Sequence, residues 1–514
     1  MLRFFAVIGF LSVVFPAQAL PRRPAQEHDL RAARLGVVYD LPTPQKSETH
    51  TAEPVDNSRK GFSTDSRART LRKRLRHLLR NQPLAGVSLS IAVSDAVTGE
   101  LWAAQKPEQT LNPASTLKLV TSAVALDRLG ADYRFTTHVQ FLDGTAYLVG
   151  SGDPQLSLEA LDRLAQRLVD HSPRSIRNIV VDDEAFSGGV LPPGYDKKET
   201  DAAYRASVGA IALMSGTAKI SVYPSREGQP PRVVQTPPGD YVLIDNRAKT
   251  VSGKGSTIRI RVKRHQRRSK AVITGQIGRN RKKRPTFATR RIEHPPLAAG
   301  YAFKALIEKH CDCRIAGGVT LGPTPSHAQR IAHHRSDPLS VLIATMNKKS
   351  NNFIAETLLR ALARKRDNAF QTVSWDHGLR TVRTWLETKL DFQADDYQYS
   401  NGSGLYDGGR FSAAQVVRLL VHMNQHTNRE LYRASLAVAG RDGTLKGRLI
   451  ADATAGRMVG KTGTLNEVSA LSGYVRTRNG QRLAFSILMN NTGGATRKMR
   501  QIQDRIVSLL IEIR

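Results

Sequence analysis

A serine and a lysine three residues apart, Ser115 and Lys118, stand in Asn112-Pro113-Ala114-Ser115-Thr116-Leu117-Lys118, at the head of an apolar run reaching Leu126. Positions i and i+3 share one face of a helix, so the spacing predicts that hydroxyl and amine meet. A serine hydroxyl is a poor nucleophile at neutral pH and needs a base beside it. Lysine can be that base only where burial or a neighbouring cation lowers its pKa. Leu117, Leu119, Val120, Ala123, Val124 and Leu126 supply the dry surroundings. Taken alone, S-x-x-K is a weak signal, since such pairs arise by chance on helix surfaces.

Two further stretches strengthen it. Ser350-Asn351-Asn352 opens a second apolar helix (Phe353, Ile354, Ala355, Leu358, Leu359), and Lys461-Thr462-Gly463-Thr464-Leu465 follows the short run Arg457–Gly460. Singly, each has a plain structural account: Ser350 as a helix N-cap, Lys461-Thr462-Gly463 as a turn. In the order S-x-x-K, S-x-N, K-T-G they form the signature of penicillin-binding proteins and serine β-lactamases. The expectation is an acyl-transfer serine enzyme, with no metal and no cofactor.

The chain has 77 basic and 44 acidic residues, a formal net charge of +33. The densest basic run, Lys254 to Arg291, includes Arg259, Arg261, Lys263, Arg264, Arg267, Arg268, Lys270 and Arg279 to Arg284. It is poor in the aromatics that stack on bases, which disfavours nucleic acid. An anionic envelope polymer is the better candidate partner, against the alternative of a merely solvated basic surface. Met1-Leu2-Arg3, an apolar stretch from Phe4 to Phe15 and Ala17-Gln18-Ala19 predict a cleaved secretory signal peptide at 1–19. Export follows, to the periplasm if the host has an outer membrane, with no transmembrane segment left after cleavage. Cys311 and Cys313, the two cysteines, lie one residue apart. A bridge at that separation is expected to be strained, and no disulfide framework is expected.

The elements that must position the chemistry begin after a polar, aperiodic linker (20–65). Leu71, Leu75, Leu78 and Leu79 predict an amphipathic helix, and Val87–Val93 with Leu101–Ala104 a hairpin delivered just before Ser115. The interval from Lys118 to Ser350 is far longer than one enzyme loop, so it reads as inserted domains. Its first part mixes strands with a helix from Leu158 to Val169. From about Ala210 to Arg291 it becomes a run of short alternating strands, a small β domain. After Ser350 come three helices and the loops at Ser400-Asn401-Gly402-Ser403-Gly404, Asp442-Gly443-Thr444-Leu445 and Lys461. Two sheet strands (Val468–Val475, Arg482–Asn490) and a closing helix follow. One α/β (α+β) core interrupted by β-rich insertions is predicted.

From about residue 84 onward the sequence resembles the class C low-molecular-mass penicillin-binding proteins, the D-alanyl-D-alanine carboxypeptidase/endopeptidase family. The resemblance rests on Pro113–Lys118, Gly152-Asp153-Pro154, Val181-Asp182-Asp183, Ser350-Asn351-Asn352 with Ala355-Glu356, Asp442–Leu445 and Lys461–Leu465. It implies a serine β-lactamase/transpeptidase-like core (66–132 and 325–514) with a five-stranded antiparallel sheet flanked by helices. An inserted domain (133–209 and 292–324) would carry a nested β-rich, basic domain (210–291). The implied function is an exported serine carboxypeptidase or DD-endopeptidase acting on peptidoglycan stem peptides and acylated by β-lactams. Ser115 would be the nucleophile and Lys118 its base, with Ser350, Asn352 and Lys461 completing the catalytic set. Thr462, Gly463 and Thr464 would bind the substrate carboxylate, and the backbone N–H groups of Ser115 and Thr464 would form the oxyanion hole. Asn401 stands where the family carries Asp, and Tyr406-Asp407 where it carries Ser-Arg. Two alternatives remain: a β-lactamase or esterase on the same fold, and a non-catalytic cell-wall or polyanion-binding protein. A Ser-His-Asp hydrolase is disfavoured, because Ser403 in Asn-Gly-Ser-Gly-Leu lacks the outer glycines of a nucleophile elbow.

Overall fold

The computed structural model describes residues 61–171, 176–281, 284–364, 368 and 370–514. The expected signal peptide, linker residues 20–60, and Lys282 and Lys283 of the basic run lie outside the described residues. Val468–Arg476 and Arg482–Asn490 are apolar on both sides of the pleat, and all but their end residues are buried. Such strands need cover on two faces, and they form the middle of an antiparallel sheet. Its order is Ala437–Val438, Met458–Leu465, Val468–Arg476, Arg482–Asn490, Ser88–Asp95, Leu101–Gln105. On one face, Leu71 and Leu75 of helix Ser66–Arg80 and Ile506 and Leu510 of helix Thr496–Ile511 pack on Leu471, Phe485 and Ile487. On the other lie Ala92, Tyr474 and Ala484 with helices Ala413–Gln425 and Lys118–Arg128. The sheet has six strands rather than five, because the two-residue edge segment Ala437–Val438 pairs with Val459 and Gly460. The Lys461 stretch, expected as a loop, is part of strand Met458–Leu465.

A second sheet occupies the interval between Lys118 and Ser350. Its order is Val319–Leu321, Asn178–Asp182, Thr145–Gly150, Thr136–Leu142, Gln329–Arg335, with helices Leu158–His171 and Pro295–Cys311 in one apolar core with it. Gln329–Arg335 lies beyond the residue-324 limit read from sequence. Its polar composition hides a strand that gains its identity only by pairing with Thr136–Leu142. Among the described residues of 210–291 the regular structure is β apart from a 3₁₀ turn at Arg279–Arg281: Arg259–His265, Arg268–Thr274 and Val242–Asn246 make one three-stranded sheet, and Thr286–Arg291, Thr217–Tyr223 and Arg232–Thr236 another. Cys311 and Cys313 are joined in a disulfide with their Cα atoms 5.1 Å apart. The left-handed backbone of Asp312 (φ 47°) turns the chain back on itself and brings the two within ordinary reach.

Two buried arginines tie the inserted material to the core. Arg360, on helix Asn352–Ala361, donates to the carbonyls of Gly189 (3.0 Å), Val208 (3.3 Å) and Ser187, and lies between the rings of Phe186 and Trp375. Arg364 donates to the carbonyls of Ser151 and Ala185. Burial brings the Arg360 guanidinium down to about 9. The carbonyls and rings around it supply partners that water would otherwise provide. Among the described residues, no helix is long and apolar enough to cross a membrane.

Candidate active site

Ser115 does not sit on an α-helix. It lies in a 3₁₀ turn, Ala114–Leu117, and the α-helix starts at Lys118. Side chains at i and i+3 eclipse in a 3₁₀ turn, so the two groups still meet, with Lys118 Nζ 3.0 Å from Ser115 Oγ. The turn is held from three sides. Asn112 Oδ1 accepts from the Ala114 N–H (2.8 Å), and Ala114 itself is left-handed (φ 46°). Gly404 and Gly463 close on it: a Cβ on Gly404 would stand 2.0 Å from the Ala114 carbonyl oxygen, and one on Gly463 2.5 Å from that of Pro113.

Lys118 is fully buried, and two strict acceptors claim its amine: Asn352 Oδ1 at 2.7 Å and the Ser403 carbonyl at 2.7 Å. A neutral primary amine has two N–H donors and one lone pair. With both donors taken, the lone pair is left for the third contact, the Ser115 hydroxyl. Burial drives the Lys118 pKa well below its ordinary value, and the charge of Lys461 pushes it the same way, against the opposing pull of Glu356. The orientation of the Asn352 amide is set by its Nδ2, which donates to the Tyr204 carbonyl (3.0 Å). The Ser403 carbonyl is aimed by Glu356, whose two carboxylate oxygens accept the N–H groups of Gly402 and Ser403 at 2.9 Å each. Burial lifts the Glu356 pKa, opposed by these donors.

Ser350 caps helix Leu339–Lys349 in left-handed conformation (φ 53°), and Asn351 then N-caps the next helix. The kink turns Ser350 toward strand Met458–Leu465, where Lys461 Nζ donates to Ser350 Oγ (2.9 Å) and to the Thr462 carbonyl (2.8 Å). Lys461 is fully buried, and desolvation brings it to about 7. Lys348, one turn earlier, pairs with Asp442 (2.6 Å) and so ties the kink to the Asp442–Leu445 segment.

A cleft of about 720 Å³ is lined by Ser115, Ser350, Asn352 and Thr464, together with Lys197, Lys198, Tyr204 and Tyr406. Ser115, Ser350, Asn352 and Thr464 thus line one opening, with Lys118 and Lys461 buried behind Ser115 and Ser350, while Thr462 and Gly463 lie on the same strand as Thr464 outside the lining. Thr462 Oγ1 donates to Thr444 Oγ1 (2.9 Å). Sequence reasoning gave no role to Glu356, Ser403 or Tyr204. Glu356 had a readable signal, a lone acid on an apolar helix one turn after Asn352. Asn401 is buried and organises its loop, its Oδ1 accepting the Gly404 N–H (2.9 Å) and its Nδ2 donating to the Leu405 carbonyl (3.2 Å). Ser403 Oγ is taken up by the Tyr195 hydroxyl (2.9 Å) and the Leu405 N–H (3.1 Å), not by a histidine. Among the described residues, no three His, Cys, Asp or Glu side chains converge as metal ligands.

Residues 71–512 match the sequence profile of the D-Ala-D-Ala carboxypeptidase 3 (S13) family. The D-alanyl-D-alanine carboxypeptidase of Actinomadura sp. (strain R39) is 32% identical over 473 residues, 88% of this chain and 86% of that protein. Carboxypeptidase DacB of Mycolicibacterium smegmatis is 27% identical over 78% of this chain and 76% of its own length. Penicillin binding protein 4 (dacB) from Haemophilus influenzae superposes with a TM-score of 0.68 at 20% identity, over 84% of this chain and 99% of that one. A second structure of that protein, complexed with a novel β-lactam, gives 0.64 at 20% identity, over 85% and 99%. The chain belongs to the S13 D-Ala-D-Ala carboxypeptidase family.

Proposed function

We propose that this S13 peptidase works through a Ser115 acyl-enzyme on D-Ala-D-Ala termini, and on D-alanyl cross-links, of peptidoglycan stem peptides. The observation that carries the reading is the buried Lys118 Nζ 3.0 Å from Ser115 Oγ, with Asn352 Oδ1 and the Ser403 carbonyl accepting two of its N–H groups; in the neutral amine the lone pair then faces Ser115. Lys118 takes the hydroxyl proton as Ser115 attacks the carbonyl of the penultimate D-alanine. The oxyanion forms between the backbone N–H groups of Ser115 and Thr464, fixed donors that need no reorganisation as charge develops. Ser350, held by Lys461, relays the proton taken up by Lys118 to the leaving amine, so that Lys118 is neutral and Ser350 protonated again at the acyl-enzyme. Lys461 keeps Lys118 neutral by repulsion, and Asn352 fixes the amine's direction. The Thr464 hydroxyl binds the terminal carboxylate, with Gly463 giving the strand its close approach; Thr462, expected to share that role, has its O–H committed to Thr444. Water then releases the acyl group and regenerates Ser115. β-Lactams enter by the same attack and stay bound. The expected signal peptide supports export to the periplasm.

Intact-protein mass spectrometry after brief exposure to benzylpenicillin tests the reading, with peptide mapping of the adduct. A stable adduct on the Ser115 peptide, lost in Ser115→Ala together with peptide hydrolysis, is expected. Hydrolysis surviving in Ser115→Ala would falsify the mechanism, and rapid consumption of penicillin without an adduct would point to a β-lactamase.

The nested domain supports a second, non-catalytic contact. Arg259, Arg261 and Lys263 project from exposed alternate positions of edge strand Arg259–His265, while Ile260 points inward. Charges spaced by roughly 6.5–7 Å suit a linear anionic polymer. Binding of a polyanionic cell-wall polymer that weakens steeply with salt, and is lost when these three become glutamine, is expected.

A further inference from the structure

Helix Thr496–Ile511 runs over the outer face of the sheet, with Met499 buried in its first turn and Arg500 beside it in solvent. Arg500 Nη2 donates to Thr464 Oγ1 at 3.2 Å, so a guanidinium from the far end of the chain reaches the strand that borders the nucleophile. The natural partner of Arg500 on its own helix is Asp504, four residues on. Arg448 has taken that carboxylate, with Nε at 3.0 Å and Nη2 at 2.8 Å from Oδ1, and Nη2 also donates to the Arg500 carbonyl (3.2 Å). Among the described residues, Arg500 makes no ion pair with any carboxylate. A cation without a carboxylate partner thus touches Thr464, which lines the cleft.

The hydroxyls beside it point to what would neutralise it. Thr464 Oγ1 accepts from Arg500, which leaves its own O–H free to donate into the cleft. Thr462 differs, because its O–H is given to Thr444. A carboxylate accepting the Thr464 hydroxyl therefore lies beside the guanidinium fork and can take N–H donors from it, a charge-assisted and geometrically selective contact.

We propose that Arg500 is a substrate-binding residue for the free α-carboxylate of the leaving residue, acting with Thr464. The inference rests on the reaction proposed above and deepens it. It selects peptides whose leaving residue keeps an ionised α-carboxylate, as a terminal D-alanine does, against esters and amides at that position. Because Arg500 contacts the leaving residue and not the reacting carbonyl, its removal weakens binding more than turnover.

The test compares the wild type with Arg500→Gln and Arg500→Lys on two substrates. One is an acyl-D-Ala-D-Ala peptide acid; the other is an acyl-D-alanyl methyl thioester, which is activated and carries no carboxylate on its leaving group. Arg500→Gln is expected to raise KM for the peptide acid about 10- to 100-fold, as suits one hydrogen bond to a charged group, with kcat within about threefold. Its loss on the thioester is expected to stay below about threefold, and Arg500→Lys to recover part of the KM. Equal losses on both substrates, or no change on the acid, would overturn the assignment of Arg500 alone. A wild type that cleaves neither substrate overturns the acyl-transfer reading itself and this inference with it.

Discussion

Gly463→Ala is the smallest change that separates the two walls of the cleft. Its backbone is not left-handed, so alanine meets no conformational penalty there and acts through volume alone. The added Cβ would lie 2.5 Å from the Pro113 carbonyl oxygen and 3.1 Å from both Ala114 Cβ and Ala470 Cβ. Ordinary contact begins near 3.4 Å, so strand and nucleophile turn must part by about 0.9 Å. Neither wall has a flexible side chain to yield: one is the backbone before Ser115, the other the sheet pairing of Gly463 with Ala470. Overpacking of this kind costs about 1–3 kcal/mol of stability. Its effect on rate is larger in proportion, because it moves the Thr464 N–H away from the Ser115 N–H. A displacement near 1 Å, or loss of one oxyanion donor, each lowers rates by about 10²–10³-fold. The assay is the second-order rate constant for acylation by benzylpenicillin, with thermal unfolding and circular dichroism to establish that the variant is folded. A folded Gly463→Ala that acylates within about threefold of wild type would refute the claim that this strand–turn contact sets the site.

Two substitutions should shift the acid limb of the pH–acylation profile in opposite directions. Lys118 is a base only when neutral, and below about pH 7 the charge on Lys461 helps to keep it so. Lys461→Met therefore raises the Lys118 pKa and moves the limb to higher pH, while Glu356→Gln, removing a negative charge, moves it lower; shifts of the same sign would contradict this electrostatic account. Glu356→Gln should also cost about 1–3 kcal/mol in denaturant unfolding, since an amide cannot accept both the Gly402 and Ser403 N–H groups. Arg360→Ala removes the cation that ties helix Asn352–Ala361 to the carbonyls of Ser187, Gly189 and Val208. It leaves the buried Val208 carbonyl without this donor and removes the guanidinium packed against Phe186 and Trp375, for an expected loss of about 2–5 kcal/mol by denaturant titration. A loss below about 1 kcal/mol would mean that the arginine is not what joins the inserted domain to the core.

The candidate catalytic set was legible in the sequence because its spacings are local. Ser115 and Lys118 meet whether the turn is α or 3₁₀, and the Ser350 and Lys461 motifs keep their residues within one turn or one strand. Long apolar strands such as Arg482–Asn490 were equally legible, since burial on both faces calls for a nearly continuous apolar run. Short or polar strands were not: Ala437–Val438 and Gln329–Arg335 are strands only because a neighbour offers them hydrogen bonds, and a partner far along the chain leaves no local pattern. The same limit hid Arg500. Its type and position on an exposed helix face match several other basic residues, and only the packing of helix Thr496–Ile511 on the sheet puts it at Thr464. Sequence alone picked out the groups proposed to carry the chemistry. Tertiary structure lowers the Lys118 pKa, because burial and the charge of Lys461, opposed by Glu356, come from separate segments that only the fold brings to one amine.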